Sequence, residues 1–134
     1  MENNNADIIK DQVNHFKSSF NFLLGVIGVQ AKNHFVDNFA KQGFDGNKWE
    51  RRKSEKDSGR AILVKTGDLR NSIQVGMIDS TSVTIKSDVP YASYINDGTD
   101  KMPARKILGE SKELDRIIVK EVEKKINSIF SNKR

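Results

Sequence analysis

The sequence contains no cysteine. Disulfides, thiolate metal sites and cysteine nucleophiles are therefore excluded, and stability has to come from packing or assembly. Histidine is nearly as scarce: His15 and His34 stand nineteen positions apart, far beyond the four-residue spacing that lets two imidazoles on one helix share a metal. No glycine cluster runs into the Lys-Ser or Lys-Thr of a phosphate-binding loop. Asp45-Gly46-Asn47 lacks the further acidic positions and closing glutamate of a calcium loop and reads as a turn. The longest apolar run, Phe22 to Val29, is eight residues, whereas about 20 are needed to cross a bilayer. No Lys or Arg precedes an apolar stretch at the N-terminus, as a secretory signal would require. The expectation is a soluble chain without metal, cofactor or membrane contact.

At 134 residues one domain is expected. Apolar residues make up 36% and charged residues 31%, leaner in apolar side chains than an ordinary globular domain; this suggests a large exposed surface or elements that wait for a partner. The net charge of +5 is unevenly spread. Lys and Arg balance Asp and Glu at 4 to 4 over residues 1–43, then run 8 to 5 over 44–70, 1 to 4 over 71–100 and 10 to 5 over 101–134. An acidic middle between basic segments suits head-to-tail contact between copies of one chain, and it also suits nucleic acid.

Ile9, Val13, Phe16, Phe20, Leu23, Ile27, Ala31, Phe35 and Phe39 recur at three and four residues, predicting one helix from about Ala6 to Gln42. Asn5 suits its N-cap, Asp7 its first turn, and Gly43 a left-handed exit. Such a helix runs about 55 Å, longer than a domain of this mass covers alone, so part of it is expected to pack on another subunit. Gly25 and Gly28 interrupt the stripe and mark either a kink or a close backbone approach. From Phe44 to Arg60 the pattern dissolves into a charged stretch expected to form a mobile loop, with Trp49 anchoring its start to the body. Ala61-Ile62-Leu63-Val64 reads as strand or extended chain, and Thr66 as the N-cap of a short helical turn with Leu69 and Ile73 four apart. Ile73, Val75 and Met77, then Val83 and Ile85 after a turn near Asp79-Ser80-Thr81, alternate as a β-hairpin does. Tyr91 to Ile95 can form one or two helical turns ended by Asn96-Asp97-Gly98. Ser111 caps an amphipathic helix bearing Leu114, Ile118, Val122, Ile126 and Ile129 on one face. The fold class is α+β: a long N-terminal helix, a small antiparallel sheet, and a C-terminal helix packed on it.

No nucleophile is paired with a base. Glu110, Glu113, Asp115, Glu121 and Glu123 are interleaved with lysines as on a solvated helix face, so an enzyme is not expected. The basic run Arg51-Arg52-Lys53 beside Trp49 leaves a small nucleic-acid-binding protein as the alternative, cations meeting phosphate and an aromatic stacking on a base.

From Phe35 to Ser111 the chain resembles the small tail completion and virion morphogenesis proteins of tailed bacteriophages, also called neck or head-tail connector proteins. The residues that carry the resemblance are Phe39 and Gly43 ahead of Gly46 and Trp49, then Leu63 with Thr66-Gly67-x-Leu69-Arg70-x-Ser72-Ile73. Tyr91-Ala92 followed by Gly98-Thr99 comes next, and Pro103-Ala104-Arg105 with Leu108-Gly109 completes the set. Ile95-Asn96-Asp97 stands where the family often carries His or Glu, and Arg105-Lys106-Ile107 replaces Arg-Pro-Phe, so a polar contact and a rigid proline are expected to be missing. The resemblance implies a structural protein without catalytic activity, assembled as a ring of perhaps six copies at the head-proximal end of the tail. Its partners would be tail tube and connector or neck proteins, and its place the virion, after assembly in the host cytoplasm. Trp49, Arg51, Arg52, Arg70, Tyr91 and Arg105 are the candidate subunit or partner contacts.

Overall fold

The apolar stripe forms one continuous helix, α1 (Asn5–Lys41), in the computed structural model, which describes residues 5–52, 61–64 and 67–131. The glycines do not break it. Gly28 takes a close approach: a Cβ there would lie 2.9 Å from Val83 Cγ2 and 3.3 Å from Val75 Cγ1, whereas one at Gly25 would meet nothing within 4 Å. The helix exit differs from expectation. Gln42, at φ 57°, is the left-handed residue, and its amide explains why a non-glycine sits there. Gln42 Nε2 donates to the carbonyls of Phe39 at 2.7 Å and Ile62 at 2.9 Å, while Oε1 accepts from the Ile62 amide. Gly43 is small for another reason, since a Cβ would lie 2.5 Å from the Asn47 carbonyl oxygen.

That crowding marks a hairpin where the mobile stretch was expected to begin. β1 (Gly43–Phe44) and β2 (Asn47–Lys48) pair antiparallel, Gly43 with Lys48 and Phe44 with Asn47. Asp45 and Gly46 form the turn at φ 49° and 81°, the positive values that a two-residue hairpin loop requires and that Asp-Gly supplies. The Trp49 amide then donates to the Gln42 carbonyl at 2.9 Å, and its ring is buried as the expected anchor. The remainder of the expected loop, 53–60, lies outside the described residues.

Ile62 to Val64 form a turn rather than a strand, with Leu63 at φ 64°. α2 (Asp68–Ser72) starts from Gly67 at φ 77° without a side-chain cap; Thr66, the expected cap, lies outside the described residues. β3 (Ile73–Ile78) and β4 (Val83–Ser87) form the expected hairpin, pairing Ile73 with Ser87 and Val75 with Ile85. The register shifts between Val75 and Ile78, which breaks the alternation and leaves Met77 exposed. Asp79 closes the turn, its carboxylate accepting from the amides of Thr81 at 2.9 Å and Ser82 at 2.8 Å. α3 (Ala92–Asp97) ends at Gly98, φ 78°. A Cβ at Gly98 would lie 2.7 Å from the Ala104 amide nitrogen, so only glycine fits both backbone and space. α4 (Lys112–Ser131) lies along α1. The β3–β4 hairpin also packs on α1, so α1 is the shared layer and α4 is not laid across the sheet as expected.

One cluster gathers Ala31, Phe35, Phe39, Phe44, Trp49, Leu69, Ile73, Ala92, Ile107 and Leu114. Burying each large member is worth about 1.5–3 kcal/mol, whereas exposed pairs such as Lys86–Asp88 at 3.4 Å contribute about 0–1 kcal/mol. Packing therefore holds the fold. It draws only on the second half of α1: residues 5–18 are all exposed. The two glycines of α1 should respond in opposite directions to substitution. Gly25→Ala is expected to stabilise by about 0.8–1 kcal/mol through helix propensity, and Gly28→Leu to destabilise by about 1–3 kcal/mol by overpacking the hairpin, both read from urea unfolding midpoints.

Candidate functional site

The first four amides of a helix have no partner within it. At α4 they are met by residues distant in sequence. Ser111 is the cap, its Oγ accepting from the Leu114 amide at 3.0 Å. The Asp45 carboxylate, brought there by the β1–β2 turn, accepts from the Lys112 amide at 2.7 Å and from the Ser111 hydroxyl. His34 of α1 completes the set, with Nε2 3.1 Å from Ser111 Oγ. Because the single hydroxyl proton of Ser111 goes to Asp45, the contact with His34 requires Nε2–H to be the donor. Partial burial opposes ionisation of Asp45, but the Ser111 hydroxyl, the Lys112 and Glu113 amides and His34 outweigh it and hold the carboxyl below its usual value.

Serine, histidine and aspartate in contact invite comparison with a catalytic triad, but the proton runs the wrong way. A nucleophilic serine gives its proton to histidine; Ser111 gives its proton to aspartate. His34, Asp45 and Glu113 can also bring one ligand atom each within 4.8 Å of one another, a grouping that the sequence, with its histidines far apart, did not reveal. Both Asp45 oxygens are already engaged, and Lys41 Nζ lies 4.0 Å from Glu113 Oε2. The adjoining recess, about 170 Å³, is also lined by buried Asn38, whose Nδ2 has no partner among the described residues. Nδ2 is an N–H donor, which does not attract a cation. The constellation is a cap that stitches α1, the first hairpin and α4 together.

A second network straps the segment Pro103–Gly109 to the body. Asn96 Oδ1 accepts from the Ile107 amide at 2.9 Å and the Leu108 amide at 3.1 Å. Lys106 is held by its neighbours: its carbonyl accepts from Trp49 Nε1 at 2.9 Å, and its ammonium lies 4.9 Å from the Phe44 ring centroid. The Arg105 amide donates to the Ile95 carbonyl and its Nε to the Glu50 carbonyl, both at 2.8 Å.

Trp49 and Arg105 are interior, 6% and 9% exposed, and they join the start of the charged segment to the strap. A buried Trp49 cannot stack on a base, which removes the aromatic half of the nucleic-acid alternative. Arg52 is half-buried with Nη2 2.6 Å from the Ala61 carbonyl oxygen, and Arg51 is exposed beside it. Arg70 is half-buried, its guanidinium lying over Gly67, and Tyr91 is exposed ahead of α3. Trp49, Arg51, Arg52 and Arg105 thus share one corner, while Arg70 and Tyr91 belong to α2 and the entry to α3. Exposed apolar groups absent from the candidate contacts include Met77 and Tyr94; the bulge that exposes Met77 has no sequence signature. Among the described residues no helix is long and apolar enough to cross a membrane.

Residues 28–98, just over half of the chain, match the family described as "Bacteriophage HK97-gp10, putative tail-component". The chain belongs to this HK97-gp10-like family of phage tail components. The matched span opens on Gly28 and closes on Gly98, two of the close backbone approaches described above. No curated protein and no solved structure matches the chain.

Ser111→Ala removes the cap and leaves Asp45 and His34 without their shared partner; a loss of about 2 kcal/mol is expected in urea unfolding near neutral pH. The lowered Asp45 value adds a pH signature. Its stabilisation is complete above the ordinary value of 3.8 and is lost as pH falls through the lower folded value. Asp45→Asn should therefore be less stable than the parent at neutral pH and lose less on acidification, measured by unfolding midpoints across the acid range.

Proposed function

We propose that the chain acts in tail completion and head-tail joining, as a non-enzymatic protein that assembles into a ring, six copies in the simplest case, at the head-proximal end of the tail. The observation that carries this is the family match across the folded core. Two features of the chain support assembly in particular. The exposed half of α1 keeps its apolar stripe, with Ile9, Val13 and Phe16 in water, and an isolated helical segment of that length is marginal without a surface to bury it. The charge is polarised, acidic over 71–100 and basic over 101–134, so unlike faces of successive copies can meet. Its neighbours in the particle are the tail tube on one side and connector or neck proteins on the other. Arg51 and Tyr91 remain the contact candidates with free surface, and Arg70 is partly accessible. Assembly takes place in the host cytoplasm and the protein stays in the virion.

Disrupting its gene in the phage is expected to leave filled heads and finished tails unjoined in electron micrographs, with joining restored by the gene supplied in trans. Normal numbers of joined particles without the protein would refute the proposal.

A further inference from the structure

We infer that the uncovered N-terminal half of α1 is the seat for the β3–β4 hairpin end of a second copy of this chain, in a head-to-tail contact. The inference rests on the ring proposed above and names the surfaces that would close it. Ile9, Val13, Phe16 and Phe20 follow one another at four, three and four residues and continue the line of Leu23, Ile27 and Ala31. In the second half of the helix the hairpin covers the side next to this line, with β3 and β4 packed at Gly28 through Val75 and Val83. Beyond Phe20 towards the N-terminus the cover stops, leaving Ile9, Val13 and Phe16 at 59%, 46% and 62% exposure. α4 brings Ile126, Ile129 and Phe130 to a recess shared with Gln12, His15 and Phe16, so that flank faces α4. The other is open.

The open flank carries two lysines. Lys10, Lys17 and Gly28 are spaced by seven and eleven residues and fall on one side of the helix. The side that accepts the hairpin at Gly28 thus carries lysines further along, and both are exposed. The complementary surface is the end of the same hairpin. There the bulge turns Met77 and Ile78 out to solvent, 74% and 47% exposed, next to the exposed carboxylate of Asp79 at the turn. This is an apolar pair beside an anion, facing an apolar stripe beside two cations.

The two surfaces cannot meet within one chain. Gly28 lies twelve to nineteen residues from Phe16 and Ile9, about 18–28 Å along the axis. From Val75, which packs at Gly28, to Ile78 is three residues of strand, about 10 Å. The occupant is therefore another copy, and because stripe and hairpin end are different patches the contact is heterologous, the type that closes into a ring when its rotation allows.

The absence of native cysteine makes the test clean. The full-length variant carrying both Val13→Cys and Met77→Cys, at two exposed positions, is oxidised at rising concentration and run on a non-reducing gel. The single variants and the parent chain are treated alongside, and all are weighed in solution by light scattering. A ladder of covalent multimers from the double variant, with none from either single variant, is the expected result. Adding Lys10→Glu and Lys17→Glu should weaken the ladder at least several-fold at low salt, and Asp79→Lys should restore it. Dimers from Val13→Cys alone would overturn the inference in favour of helix-to-helix pairing. If the chain forms closed multimers in solution but the double variant gives no ladder, this interface is wrong and the ring stands. A ladder that never closes would keep the interface and overturn the ring, and neither ladder nor multimers would overturn both.

Discussion

The structure depends on the capping of one helix by residues that arrive from a hairpin turn and from another helix. Asp45, at the turn of the first hairpin, and His34, on the buried face of α1, meet at Ser111, where α4 begins. Each element needs the others. Without the hairpin, the first amides of α4 lose an anion that offsets the positive end of the helix dipole; without α4, Asp45 loses the Ser111 hydroxyl and the Lys112 amide that offset its desolvation. Packing supplies most of the energy, but it is not directional. The cap sets the register between α1 and α4.

The same logic explains the corners that carry the family resemblance. Gly98 lets α3 turn back onto Ala104, Asn96 receives two amides of the strap, and Trp49 and Arg105 bond carbonyls across it. They stop the chain in places where a side chain or an unpaired amide would be expensive. The path at Lys106 is set by contacts, the indole bond to its carbonyl and the ammonium over Phe44.

Periodicity made the long elements legible in the sequence. α1, α4 and the β3–β4 hairpin stand where the spacing of Ile9 to Phe39, Leu114 to Ile129, and Ile73 to Ile85 places them, because each repeats its pattern for enough residues to distinguish one period from another. Short elements failed that test. β1 and β2 have two residues each, and their one signal, Asp45-Gly46, was overshadowed by the charged residues that follow. Ile62 to Val64 are as apolar as a strand, yet the Ile62 amide and carbonyl both bond the Gln42 side chain. The candidate contacts fared unevenly for a physical reason: tryptophan and arginine are as well suited to tying loops together inside a fold as to meeting a partner. Burial, which sequence does not show, decides between the two roles for Trp49 and Arg105. His34 was invisible because its partners lie 11 and 77 positions away.

Hydrogen exchange at the amides of Lys112 and Leu114 tests the central claim most directly. First-turn amides of a helix ordinarily exchange at close to the unprotected rate, since nothing within the helix holds them. Here the account predicts protection of both comparable to that of Phe35 and Phe39 in α1, with that of Lys112 abolished in Asp45→Ala and that of Leu114 in Ser111→Ala. Exchange of both amides at the unprotected rate in the parent chain, while the core of α1 stays protected, would contradict it.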